Sequence, residues 1–460
     1  MPRYEMDTKF WEIELAGSKY TQKWGKTGGS VSMNSKDCAT PDAARKAYDK
    51  AIAKKESEGF ALVGGKAKKG KEPKAAPAQT ASKPNPALEK AILANPDDTD
   101  AYLVLADWLQ GQGDPRGELI ALQHAGKKKE ATALLKKHPE LTPVITPKPE
   151  TYELEWSCGF IKRAHLGWPM FADGSDDDGD GEELDTDAWR VACQKALLGF
   201  LQHPSARFLQ ALRLGCIPGE EEMSTSPFAA AIEKASPPCL VSLRIDDTGD
   251  WDISSTNATI PGSSSLARLE ELVIRAGSIR MGKLELPKLR SLRLESGSLN
   301  AKNLKEVAKA SWKKLEKLEL WCGDPRYGAN GTVKDLAPLF AATGVPALKH
   351  LGLMNCPFAD EGVKALASSK LLKQLTTLDL RMGNLSDRGV DTLIAHKDAF
   401  KHLDLLDVDD NALTEASKPR LKGLAKKVNW GSSARSRQTP DRAVPRTEDN
   451  SWSRYVSVGE

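Results

Sequence analysis

The sequence predicts a multidomain chain of mixed α+β and α/β class, with a small α+β unit, a short helical segment and a long C-terminal repeat array. Three observations carry that expectation. At 460 residues the chain is too long for one ordinary core. Near the N-terminus an alternating stretch, KFWEIELAG, gives way through the glycine turn GKTGG to a helical pattern. From residue 209 onward an L-x-x-L-x-L pattern recurs eight times.

The first unit spans residues 4–63. Its alternation places every second side chain on one face, as in a half-buried strand, and GKTGG supplies turn residues before SVSMN. TPDAARKAYDKAIAKKESEGF then opens with Thr40 as the expected N-cap and Pro41 at the first helical position. Ala44, Ala47, Tyr48 and Ile52 share one face of that helix, which should pack on the sheet.

Residues 9–60 resemble a WGR domain, the small module named for a Trp-Gly-Arg motif and found in poly(ADP-ribose) polymerases and many bacterial proteins. Trp11 in the leading strand, Trp24-Gly25, the glycine turn and the helix ending KKESEGF carry the resemblance. In the polymerases the module touches DNA at a break, near the sugar–phosphate backbone. The resemblance therefore implies that Trp24 stacks on a terminal nucleotide and that Lys26 meets a phosphate. Lys26 stands where the family has arginine, which keeps the charge and loses the planar bidentate fork. Lys19 and Lys23 complete the expected nucleic-acid-binding set with Trp24, Gly25 and Lys26.

A basic linker is expected at 64–86, where six lysines face one glutamate and too few apolar residues are present to build a core. Residues 87–142 read as helices: Ala87, Ile92 and Leu93, then Tyr102, Leu105 and Leu109, separated by the breaker NPDD, then Leu119, Ile120 and Leu122 after QGDPRGE. Asp107-Trp108 and Asp114-Pro115-Arg116-Gly117-Glu118 resemble a short helical motif that accompanies repeat arrays in some bacteria. A connecting α+β segment follows at 150–208. It contains the acidic stretch 173–187, with nine acids and no base. Asp176, Asp178, Asp180, Gly181 and Asp187 fall on calcium-loop positions, but Glu183 occupies the apolar position and Asp187 replaces the closing glutamate. The stretch is read as an acidic loop before a helix, whose N-terminus it favours, and no metal site is expected.

The array runs over 209–424. Its eight copies are FLQALRL, CLVSLRI, LEELVI, LRSLRL, LEKLEL, LKHLGL, LTTLDL and LDLLDV. They resemble leucine-rich repeats, and the segments FADEGVKALA and LSDRGVDTLI resemble the ribonuclease-inhibitor-like class. That resemblance implies a solenoid of strands with helical returns, in which stacked units bury leucines that one unit could not bury alone. The polar position of the repeat holds Cys356 and Asn411 only. Function is then expected on the residue between the last two apolar positions: Arg213, Arg244, Val273, Arg293, Glu319, Gly352, Asp379 and Asp407. Basic residues precede acids along this column, which predicts an electrically polar face for a protein partner. Trp321 and Met354, two residues further on, are the expected apolar anchors. A basic tail is expected at 425–460.

Enzyme motifs are missing from the sequence. It has no H-E-x-x-H, no phosphate loop and no G-x-S-x-G, and its S-x-x-K (Ser311 to Lys314) and K-T-G (Lys26 to Gly28) occur in reversed order and in different domains. Seven scattered cysteines without C-x-x-C point to reduced thiols, and MPRYEMDTKF has no apolar leader core, so a cytoplasmic protein is expected. The sequence thus reads as a non-enzymatic adaptor that needs no cofactor, holding nucleic acid such as DNA at one end and a protein at the other. A scaffold that binds only proteins is the alternative.

Overall fold

The structure is a computed structural model, which describes residues 2–6, 9–26, 29, 31–38, 40–57, 60–62, 85–168, 186–215, 223–247 and 256–431. Most of the basic linker, the acidic stretch up to residue 185 and the chain beyond residue 431 lie outside the described residues. The chain divides into two compact units, Met1–Ala81 and Ser82–Glu460.

In the first unit β1 (Arg3–Met6), β2 (Lys9–Ala16), β3 (Lys19–Lys26), β4 (Val31–Asp37) and β5 (Ala61–Leu62) form an antiparallel sheet in the order β4-β3-β2-β1-β5. A two-residue turn joins β2 to β3, and Gly17 supplies the positive φ of 59° that this turn needs. The helix Pro41–Ser57 begins as expected, with Thr40 Oγ1 accepting from the Ala43 amide at 3.2 Å. Its Tyr48, Ala51 and Ile52 pack on Tyr4, Trp11, Ile13, Tyr20 and Trp24.

The second unit begins with four helices, Pro86–Ala94, Thr99–Gly111, Pro115–His124 and Lys128–Lys137. Asn85, Asp98 and Asp114 cap the first three through their side chains. The fourth lacks a side-chain cap, and its lysine-rich sequence hides the boundary. These helices share a core with the hairpin β6 (Thr151–Ser157) and β7 (Phe160–Gly167): Ile92, Tyr102, Leu105 and Ile120 meet Phe160 and Phe208. Arg116 is buried at this junction, donating to the Gly159 carbonyl at 2.7 Å and to Ser205 Oγ at 3.0 Å.

Helix Thr186–Gln202 leads to His203, whose Nδ1 accepts from the Ser205 amide at 3.1 Å. That bond requires the neutral ring, and burial, aided by Arg116, lowers the His203 pKa below its ordinary value of 6.5. Below about pH 6.5 the unfolded chain therefore takes up a proton that the folded chain resists, and stability falls. His203→Asn keeps an acceptor without titrating. Urea midpoints at pH 7.5 and 5.5 should differ less in this variant than in the parent chain.

The rest of the unit is built on one large sheet. The eight L-x-x-L-x-L segments become β8 (Ala211–Gly215), β10 (Ser242–Asp247), β12 (Glu271–Ala276), β14 (Ser291–Ser296), β15 (Lys317–Trp321), β16 (His350–Met354), β17 (Thr377–Asp379) and β18 (Leu405–Asp407). All eight are parallel, and Leu212, Leu243, Leu272, Leu292, Leu318, Leu351, Leu378 and Leu406 stand in one register. These leucines are 0–1% exposed and line the core. At one end β7 pairs parallel with β8, so the hairpin extends the same sheet. At the other end β19 (Lys427–Asn429) pairs with β18, inside the expected tail, giving eleven strands among the described residues. Val428 there packs against the core that Leu424 enters, a hydrophobic rung that the lysines around it conceal in the sequence.

Helical returns are only part of the connections. Helices Ala301–Lys309, Ala359–Ala367 and Asp387–Ala395 follow the expected pattern. The first connection combines β9 (Met223–Ser224) with the helix Ser226–Ala235, the next two contribute β11 (Thr256–Thr259) and β13 (Ser278–Arg280), and these three strands form a second parallel sheet. Between Leu272 and Leu292 only 20 residues are available, too short a path for a strand, a full helix and two turns. Asn411 does what a polar repeat position must: its Nδ2 donates to the Leu380 and Val408 carbonyls at 2.8 and 3.0 Å, and its Oδ1 accepts from Leu385 N at 2.9 Å. Earlier in the sheet, hydroxyls take over, with Ser296 Oγ donating to the Gly277 carbonyl at 2.7 Å and Thr256 Oγ1 accepting from the Gly277 amide at 2.7 Å.

The six described cysteines are free thiols. No described helix is long and apolar enough to cross a membrane.

Candidate functional site

In the first unit the register divides the expected nucleic-acid residues between two faces. Trp24 is the cross-strand partner of Trp11, and both belong to the cluster under the helix. Alternation puts Lys26 on that face as well, whereas Lys19, Lys23 and Gly25 point to the other. The five residues are therefore not one patch. Trp24 is half-buried and packed against the cluster, rather than a free platform. Lys19 lies 3.7 Å from Asp37, and Lys23 stands opposite Glu12. Beside Trp24 the structure brings in a residue absent from the sequence-based set. Lys9 is the cross-strand partner of Lys26, and both are exposed. Two like charges directly opposed on a sheet repel each other, a cost that an anion between them would remove. Counting back through the Gly17-Ser18 turn would have found this pair.

On the large sheet, the column between the leucines runs unbroken. Arg213 stands next to Arg244, then Val273, Arg293, Glu319, Gly352, Asp379, Asp407 and Asn429. The charges along it are not left unopposed. Arg213 Nε lies 2.7 Å from Asp246, and Arg244 reaches both Asp246 and, at 3.5 Å, Glu271. Arg293 meets Glu295, which also receives Arg275 at 3.1 Å. The early half is a lattice of ion pairs rather than a run of positive charge, because Asp246 and Glu295 lie one pleat further along the same face.

The acidic half is more deeply buried. Glu319 and Asp379 are 6% and 5% exposed. Lys317 at 3.0 Å and His350 at 3.4 Å hold Glu319: burial opposes its ionisation, but these partners outweigh it and keep its pKa at about 2. Asp379 has Arg381 at 3.1 Å, yet burial, with Asp407 alongside, pushes its pKa up to about 6. The expected apolar anchors are inside as well: Met354 is 0% and Trp321 7% exposed, and Arg293 lies over the Trp321 ring at 5.3 Å. Met354 is therefore part of the packed floor of this face rather than an open contact point. The side chain of Gly352 is missing from the column, so its neighbours lean over it; a Cβ there would lie 3.1 Å from Met354 Cε and 3.2 Å from Glu319 Cγ.

Residues 4–66 match the WGR domain family model, so the first unit is a WGR domain. No curated protein matches the chain significantly. Among solved structures, the chain is similar to a Bacteroides fragilis protein determined by a structural genomics consortium. The two are 21% identical over 94% of this chain and 96% of that one, with a TM-score of 0.46. A likeness of that degree transfers no function.

Proposed function

We propose that the chain is a non-enzymatic adaptor, with the WGR domain contacting the backbone of nucleic acid and the large sheet acting as a leucine-rich-repeat array for a protein partner. The Lys9–Lys26 pair, one pleat along from the half-buried Trp24, carries the first half of this reading, because two opposed cations near an aromatic ring suit a phosphate next to a base. The in-register leucines support the second half, together with a column in which Arg213, Arg244, Arg293, Glu319, Asp379 and Asp407 occupy six of eight neighbouring strands, Val273 and Gly352 the other two. With its charges locally paired, such a face selects a partner by the geometry of its ion pairs rather than by a long-range field.

Gel shifts of the full chain with blunt duplex and single-stranded DNA, at two salt concentrations, test the reading. Binding should be micromolar or weaker in low salt and should fall steeply as salt rises. The double variant Lys9→Glu/Lys26→Glu should bind more weakly, with a log–log salt slope shallower by about 2. An unchanged slope removes these lysines from the interface. No binding by the parent chain to either DNA leaves the protein-only scaffold.

A further inference from the structure

We propose that Glu319, His350 and Asp379 form a binding site for one divalent transition-metal ion of the zinc class. They come from three adjacent parallel strands, β15, β16 and β17, and one donor atom from each lies within 4.8 Å of the others. The arrangement follows from the register. Glu319 and Asp379 occupy the same column two strands apart, so their backbones are separated by roughly two rungs of 4.7–4.9 Å. Gly352 stands between them and contributes no side chain to the gap. His350 starts one pleat back on the strand of Gly352, and its Nε2 lies 3.4 Å from Glu319 Oε1.

A second observation concerns the nitrogen itself. His350 Nε2 is shut off from solvent and has no partner in hydrogen-bonding geometry. Its one charged contact among the described residues is the 3.4 Å approach to Glu319, too long for a good hydrogen bond, so a nitrogen closed to solvent beside two buried carboxylates is poorly satisfied by ion pairing alone. With its proton displaced, the same nitrogen would join the two carboxylate oxygens as a one-nitrogen, two-oxygen donor set of the kind zinc takes. Lys317 and Arg381 now balance part of the charge, but their side chains are 46% and 42% exposed and can turn to solvent. Zinc bonds of about 2.0–2.2 Å need the three donors to close by roughly 1 Å, within reach of carboxylate rotation. The imidazole and the small number of oxygens disfavour calcium and magnesium, which take more oxygen ligands or keep their water. The inference does not depend on the adaptor reading.

The test uses the full chain without any affinity tag, stripped of metal and then titrated with Zn²⁺ by calorimetry. One ion should bind per chain. Replacement by Co²⁺ should give the visible bands of a low-symmetry site. His350→Gln and the double variant Glu319→Gln/Asp379→Asn should each weaken binding roughly tenfold or more and abolish those bands. X-ray absorption at the zinc edge of the parent chain answers the question without any variant: a first shell of one imidazole and oxygens is expected. No stoichiometric uptake, a sulfur shell, or binding that survives both variants overturns the site.

Discussion

Leu351→Asp is expected to abolish the cooperative folding of the large unit. Leu351 is 0% exposed and sits between Leu318 and Leu378 in the leucine register. Truncating a buried leucine alone costs about 2–5 kcal/mol, and a carboxylate without a partner in that layer adds several more. A total on the order of 5 kcal/mol or above equals the whole stability of many domains. Urea denaturation followed by far-UV circular dichroism should show the helical and strand signal of residues 82–431 lost at low denaturant. A loss of less than about 1 kcal/mol would mean that this position does not face the core, and the assignment of the column between the leucines would fall with it.

Arg116→Ala should be the next most damaging change. The guanidinium is 6% exposed, lies 4.9 Å over the Phe160 ring, and donates to both Gly159 and Ser205. Burial lowers its pKa to about 10, so it stays charged at neutral pH. Its removal leaves a carbonyl and a hydroxyl short of a donor and opens a void between the helices and the hairpin, at about 3–5 kcal/mol. Both bonds come from one nitrogen, Nη1, so Arg116→Lys keeps the charge and a donor but loses the planar group over Phe160, and should recover only part of the loss. Equal stability of the lysine variant and the parent would show that charge and one donor, not the planar guanidinium, hold this junction.

The leucine ladder was legible in the sequence because its period is locked to the strand: each second leucine names its own neighbour. Trp24 as a ring of the small sheet was legible for the same reason, from the alternation around it. What escaped notice sits off the repeat. Asp246, Glu295 and Arg381 neutralise the column from one pleat away, and their spacing from it is the ordinary two residues that any strand shows. His350 stands 31 residues after Glu319 and 29 before Asp379, and reaches them only once the fold has brought three strands side by side. β9, β11 and β13 are two to four residues long, too short to carry a pattern of their own. Lys9 needed the hairpin register before it could be paired with Lys26.

The fixed leucine register and the unequal connections have a consequence for how such a chain changes over evolutionary time. From one second leucine to the next the path is 20 residues between Leu272 and Leu292 and 33 between Leu318 and Leu351, yet both pairs align strand to strand. Inserted or deleted residues are thus absorbed on the far side of the unit, where loop closure costs only about 0.6 kcal/mol per doubling of length. One residue added inside a strand has the opposite fate, since it turns every following side chain of that strand to the other face. Length variation among descendants should therefore collect in the connections, while the six residues of each L-x-x-L-x-L segment stay fixed in number even where their polar members diverge.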